Sequence, residues 1–215
     1  MKDTRRDKFY KLVLIFLVGS LVGFLYEEIF YLITDHKLYY QGFLYGPYLP
    51  IYGWGSLLLL SLKKFKKNPI LVFLFAILIT GILEYFSGYF MFKIFNKRWW
   101  DYTGLFLNID GYVCLRSVLT FSVGAIILIY WLEPIISKFY IKNKFSKKVA
   151  ISFLVIYLID NILSLTIMFG FKGTLKTIEK DGTEEITKKV KEVLLKRNFL
   201  YKRLIKAFPN IKNKN

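Results

Sequence analysis

The chain has 215 residues, a length that ordinarily makes one soluble domain, yet 55% of them are hydrophobic, 19% are aromatic and the mean hydropathy is +0.40. Lys and Arg number 32 against 15 Asp and Glu, for a net charge of +17. A soluble nucleic-acid binder would carry that charge without several runs of ~20 apolar residues, and a disordered basic chain would not carry 21 Phe, 16 Tyr and 4 Trp, so both are excluded.

The first predicted span covers residues 10–34, behind a basic start of Lys2, Arg5, Arg6, Lys8 and Lys11. No small-residue cleavage motif follows and the segment runs on into Glu27 and Glu28, so it reads as a retained span and not a signal peptide. The second run covers residues 39–62. It opens with GFLYGPYLPIYGWG, which places Gly42, Gly46, Pro47, Pro50, Gly53 and Gly55 close together. So many breakers are incompatible with a regular helix, and the expectation is a short or broken span. At membrane depth such backbone survives only where protein covers it or where it lines a polar cavity.

Lys63, Lys64, Lys66 and Lys67 mark the next membrane exit, and a third span covers 68–92 with Glu84 inside it. A polar, aromatic connection runs from Lys93 to Asp110, and the fourth span covers 111–132 with Arg116 near its start. The basic loop of Lys138, Lys142, Lys144, Lys147 and Lys148 leads to the fifth span, 149–171, which contains Asp160 and Asn161. Each span is long enough for a ~30 Å hydrocarbon core at ~1.5 Å per residue. The expected fold is therefore an all-α polytopic integral membrane protein with about five transmembrane helices plus a C-terminal amphipathic helix.

The division falls between a transmembrane domain, 1–171, and a basic tail, 172–215. In the tail, Ile186, Val190, Val193, Leu194, Tyr201, Leu204, Ile205 and Phe208 recur at helical spacing, opened by Asp181 and Glu184 and stopped by Pro209. That helix reads as an interfacial element on anionic lipid, or as a docking helix for a partner subunit. Fourteen Lys and Arg flank the side of the N-terminus against eleven within reach on the other side. The count favours a cytoplasmic N-terminus. The lone Cys114 excludes an intramolecular disulfide or a cysteine metal cluster.

Charges inside spans are expensive and mark candidate functional sites. Glu27, Glu84 and Arg116 fall at comparable depth toward the side opposite the N-terminus, and Asp160 falls near the middle. Gly19, Gly23 and Glu27 share one helical stripe, as do Thr80, Glu84 and Gly88, and Asp160 with Ser164. The expectation is a polar intramembrane site of Glu27, Glu84, Arg116 and Asp160, with Arg116 paired to Glu84 or a neighbouring carboxylate because an unpaired buried charge costs several kcal/mol. Two readings stand side by side: ion pairs that lock the helices, and a site that handles substrate or protons. Gly46, Pro47, Pro50, Tyr52 and Gly53, with Trp100, Asp101, Tyr102 and Asn108 of the connection RWWDYTGLFLNIDGYVCLRS, would form a pocket mouth or gate. The tryptophans and Tyr102 fit an interfacial aromatic belt as well.

Enzyme signatures are absent, and the chain reads as a non-enzyme. Gly170-Phe171-Lys172-Gly173 is not a phosphate loop, and His36, the only histidine, stands beside Asp35 in a loop with no zinc set around it. The Glu27-Glu28 pair resembles the paired glutamates of CAAX-type intramembrane proteases, but the arginine and histidine motifs of those enzymes are missing. No cofactor or metal is expected. Nucleic acid is not expected either, because the cations sit in membrane-flanking clusters.

Gly23-x-x-Tyr26-Glu27, GFLYGPYLPIYGWG, Leu83-Glu84-Tyr85 with Gly88, and RWWDYTGLFLNIDGYVCLRS, in that order, resemble the bacterial family called "putative ABC-transporter type IV" (putative ABC transporter permease). The resemblance covers roughly residues 10–170 and leaves out the tail. It implies a multi-pass protein of the bacterial plasma membrane with a permease-like transport role, driven by a separate ATPase subunit or by proton coupling. A non-catalytic structural or regulatory membrane protein, and a small substrate-capturing subunit of an importer, are the alternatives. Partners other than the bilayer and an ATPase, and the oligomeric state, are not readable.

Overall fold

The computed structural model describes residues 4–36, 42, 44–95, 98–142 and 145–181. The first helix, α1 (Arg5–Asp35), opens on a reciprocal cap: the Thr4 hydroxyl accepts from the Asp7 amide at 3.2 Å, and the Asp7 carboxylate accepts from the Thr4 amide at 3.1 Å. It closes at His36, which adopts the left-handed conformation with φ 52°. The single histidine thus terminates a helix, on the surface.

The second run is a break followed by a short helix. Residues 44–49 are not helical, and α2 (Pro50–Leu59) begins only at Pro50, which is suited to a first helical position. Ten residues make about 15 Å of helix, half of a hydrocarbon core. A 3-10 turn, Leu60–Phe65, carries the chain out at Lys63 and Lys64. Asn68 then caps α3 (Pro69–Phe95), its side-chain oxygen accepting from the amides of Ile70 at 3.1 Å and Leu71 at 3.2 Å.

The expected fourth span starts late and ends late. Residues 104–113 fold as a turn-rich loop with an isolated antiparallel bridge between Ile109 and Val113, so α4 begins at Leu115 and extends to Ile127. A π turn, Leu128–Leu132, joins it to α5 (Glu133–Lys142). The last helix, α6 (Phe145–Asp181), continues through residue 172 without a break. The tail helix expected over Asp181–Phe208 lies beyond residue 181, outside the described residues.

Among the described residues, four helices are long and apolar enough to cross a membrane: Arg5–Thr34, Pro69–Ile94, Leu115–Tyr140 and Lys147–Thr166. Contacts set their directions. Along α2 the residues that meet α1 run backwards, with Tyr52 at Gly23 and Ser56 at Gly19. Glu84 meets Ser117 and Gly88 meets Tyr112, so α3 and α4 are antiparallel too. On α6, Lys147 lies at Asp7 and Phe153 at Phe16, so α6 runs parallel to α1. The core joins Ile15 and Phe16 of α1, Leu59 and Leu62, Val72 and Ala76 of α3, Ala125 and Ile129, and Ala150 and Phe153 of α6. The outward faces stay apolar: Ile70, Leu74, Leu78, Ile82, Phe86 and Phe90 of α3 are all exposed, as a helix in lipid requires.

Candidate functional site

The glycine stripe on α1 is what lets α2 approach. A Cβ at Gly23 would overlap the Tyr52 ring, and one at Gly19 would overlap Ser56. Small residues permit such close backbone contact in membranes. With α2 pressed against α1, the Tyr52 hydroxyl donates to Glu27 Oε1 at 2.6 Å. Phe121 of α4 packs on the Tyr52 ring with centroids 4.9 Å apart.

On the facing side, α3 turns Thr80, Glu84 and Gly88 inward; Thr80 and Glu84 are only 2% and 3% exposed. The Ser117 hydroxyl donates to Glu84 Oε2 at 2.6 Å, and the Tyr102 hydroxyl donates to Oε1 at 2.9 Å. Gly88 makes room for the Tyr112 and Trp100 rings, which seats the loop above Glu84. Burial, and after it the Glu84 carboxylate, hold the Tyr102 phenol well above its ordinary pKa, so it remains a donor. Glu27 and Glu84 are near enough to act on one another electrostatically, and so are Tyr52 and Tyr102. Two carboxylates and two phenols from α1, α2, α3 and the loop thus form one polar cluster.

Arg116 does not take the place expected of it. Its guanidinium is exposed and lies 5.3 Å from the centre of the Phe30 ring. No ion pair between Arg116 and Glu84 forms among the described residues, although its charge reaches Glu27. The physical reason is supply: Ser117 and Tyr102 already satisfy Glu84, and a guanidinium at the outer turn of α4 keeps its hydration by staying at the surface.

Asp160 is also elsewhere. Its Oδ1 accepts from the Tyr45 amide at 2.9 Å and from the Ser164 hydroxyl at 3.0 Å, and its Oδ2 accepts from the Gly46 amide at 2.8 Å and from the Tyr48 hydroxyl. The Leu49 amide donates to the Ser20 carbonyl of α1 at 3.1 Å. Ser20 is midway along α1, so residues 44–49 descend to about half the depth of the bundle before α2 starts. This is non-helical backbone covered by protein, as membrane depth demands. Gly46 is required there because a Cβ would overlap the Tyr48 ring. Pro47 is exposed, Pro50 starts α2, and Gly53 is buried against Ser20 and Phe16 of α1.

The other mouth residues brace the loop. Asp101 Oδ1 accepts from the Thr103 amide at 3.0 Å and from Arg98 at 3.2 Å, and Trp100 donates its indole N–H to the Tyr112 carbonyl at 2.8 Å. Asn108 donates to the Leu105 carbonyl at 2.9 Å and accepts from the Gly111 amide at 3.2 Å. These contacts hold Tyr102 down on Glu84 and do not themselves face the cluster. Sequence reasoning missed Ser117, Tyr48 and Tyr45. Ser117 carried no signal, whereas Tyr48 stood inside the GPYLP block.

An open groove of about 490 Å³ lies on a different face of α3, lined by Ile77, Leu78, Ile82, Phe86, Leu107 and Val118 among others. It is almost wholly apolar and separate from the cluster. At the opposite end of the bundle, Lys63 pairs with Glu133 at 2.7 Å, and Asp7 pairs with Lys147 at 3.0 Å while accepting from Tyr140 at 2.8 Å. No group of three or more His, Cys, Asp or Glu among the described residues is arranged to hold a metal ion.

The chain matches no curated protein and no solved structure. Its residues 14–165 match a family model described as "Putative ABC-transporter type IV". That match runs from Leu14 of α1 to Leu165 of α6 and takes in the whole of the cluster and the Asp160 contacts. The chain belongs to this family of ABC-transporter-related membrane proteins.

Proposed function

We propose that the chain is the permease-like, non-enzymatic component of a transport system in a bacterial plasma membrane, with Glu27 and Glu84 at its centre. The observation that carries this reading is the pair of carboxylates on separate helices, met by the phenols of Tyr52 and Tyr102. Each contact crosses between elements and none is a salt bridge, so the cluster exchanges partners without separating a buried ion pair. Tyr102 enters from a loop and acts as a lid, while Tyr52 is carried by the short α2 next to the break. Arg116 stands at the rim and Asp160 holds the segment behind it. Energy comes from a separate ATPase subunit or from proton coupling. Affinity isolation from native membranes should recover an ATPase, or, failing that, Glu84→Gln should abolish a growth or uptake phenotype. Neither result appearing would remove the basis of this reading.

A second reading is a structural or regulatory membrane protein, favoured by one observation: each oxygen of Glu84 already accepts from a hydroxyl within the chain. It predicts that Glu84→Gln alters thermal stability with no effect on any transport phenotype.

A further inference from the structure

The contacts of Asp160 answer a different question from those of Glu84. One carboxylate, 7% exposed, collects four donors, and two of them are backbone amides of consecutive residues in a segment with no helix of its own. Above Leu49, that segment is held to the bundle by these bonds and by packing: Leu44 is fully buried, and the Tyr48 ring lies edge-on to Phe153 and Tyr157 of α6. On α6, over residues 147–166, the buried side chains form one stripe, through Ala150, Phe153, Asp160 and Ser164, while Ile151, Val155, Ile156, Leu158, Ile159 and Ile162 face outward. Along that line α6 meets α1, with Phe16 against Phe153 and Tyr157, and meets the segment 44–49 at Asp160. Below it the connection is short and stiff. Leu49 precedes Pro50 at the start of α2, and Tyr52, within that first turn, holds Glu27.

We propose that Asp160 is a latch: its carboxylate fixes residues 44–49 against α6, and through Leu49 and α2 it sets the position of Tyr52 over Glu27. A shift of α6, whose far end leads into the basic tail, then reaches the polar cluster through the latch without any contact between Asp160 and that cluster. The proposal adds a control element to the transport reading and rests on it for its purpose. Its test uses no substrate, so the two fail separately.

The test is maleimide reactivity of single cysteines in the full-length protein in membranes, with Cys114 replaced by serine. A cysteine at Leu44 reports the segment and a cysteine at Ser56 reports α2. Asp160→Asn is expected to raise the rate at Leu44→Cys by about tenfold or more, because bonds to a charged acceptor are the strong ones. Tyr48→Phe and Ser164→Ala, which remove one donor each, should raise it by about threefold. The Ser56→Cys rate should rise in the same order by smaller factors. Glu84→Gln should leave Leu44→Cys unchanged. Should Asp160→Asn fail to accumulate as folded protein, the two single-donor variants decide alone. Unchanged labelling at Leu44 in every folded variant overturns the latch. An equal rise in Glu84→Gln overturns it as well, by showing a general loosening. A rise at Leu44 with none at Ser56 overturns the link to the cluster.

Discussion

Glu84 and Asp160 are both buried acids on apolar helices, and neither forms an ion pair among the described residues, yet their surroundings differ in kind. Glu84 is met by two side-chain hydroxyls, Ser117 from α4 and Tyr102 from a loop. Asp160 is met by two backbone amides and two hydroxyls. Side-chain donors rotate away at small cost, whereas a buried backbone amide in a non-helical segment depends on an acceptor that the fold brings to it. On the proposed reading, Glu84 is the acid that exchanges partners and Asp160 the one that holds.

That contrast is sharpest under substitution. Asp160→Ala removes the carboxylate to which the Tyr45 and Gly46 amides donate, and a buried donor left unsatisfied costs about 1–3 kcal/mol. Thermal unfolding of the detergent-solubilised protein should show the largest loss of any single change in this region. A loss below about 1 kcal/mol would remove the distinction between the two acids. Gly23→Ala comes next, at about 1–3 kcal/mol, because the added methyl meets the Tyr52 ring and must separate α1 from α2. Gly124→Ala is its control: a Cβ there meets nothing within 4 Å, so the change should be neutral or stabilising.

Glu84→Gln ranks third. An amide oxygen still accepts from Ser117 or Tyr102, so the stability change should stay near 1 kcal/mol while any transport phenotype is lost. Stability falling as far as in Asp160→Ala would mean that Glu84 is a structural anchor after all. Arg116→Gln should have the smallest effect, under about 1 kcal/mol, since it gives up an exposed cation–π contact with Phe30 and a charge that acts on Glu27 only from the surface. A large effect there would restore the expectation that Arg116 is the counter-ion of the site.

Much of the architecture was legible without coordinates. Apolar runs of span length have one stable solution in lipid, and the clustering of Gly and Pro in GFLYGPYLPIYGWG announced a break before α2. The small-residue stripes were legible too: Gly19 and Gly23 do lie under α2, and Thr80, Glu84 and Gly88 do face inward. The partners of the charges were not. Opposite sign suggested Glu84 with Arg116, but residue type cannot say that a loop tyrosine and a serine arrive first. Likewise, depth along its helix placed Asp160 near the middle of the membrane, and the stripe it shares with Ser164 said nothing of which element would meet it.

From the sequence alone, then, came the elements, their order along the membrane and the stripes on which polar groups sit, because these follow from local composition and helical period. Only the tertiary structure decided which donor meets which carboxylate, since that depends on where a non-helical segment and a loop return between helices. The hydrogen bonds that the Tyr45 and Gly46 amides donate to Asp160 fix that return for residues 44–49. Bracing by Asp101, Trp100 and Asn108 fixes it for the loop that delivers Tyr102.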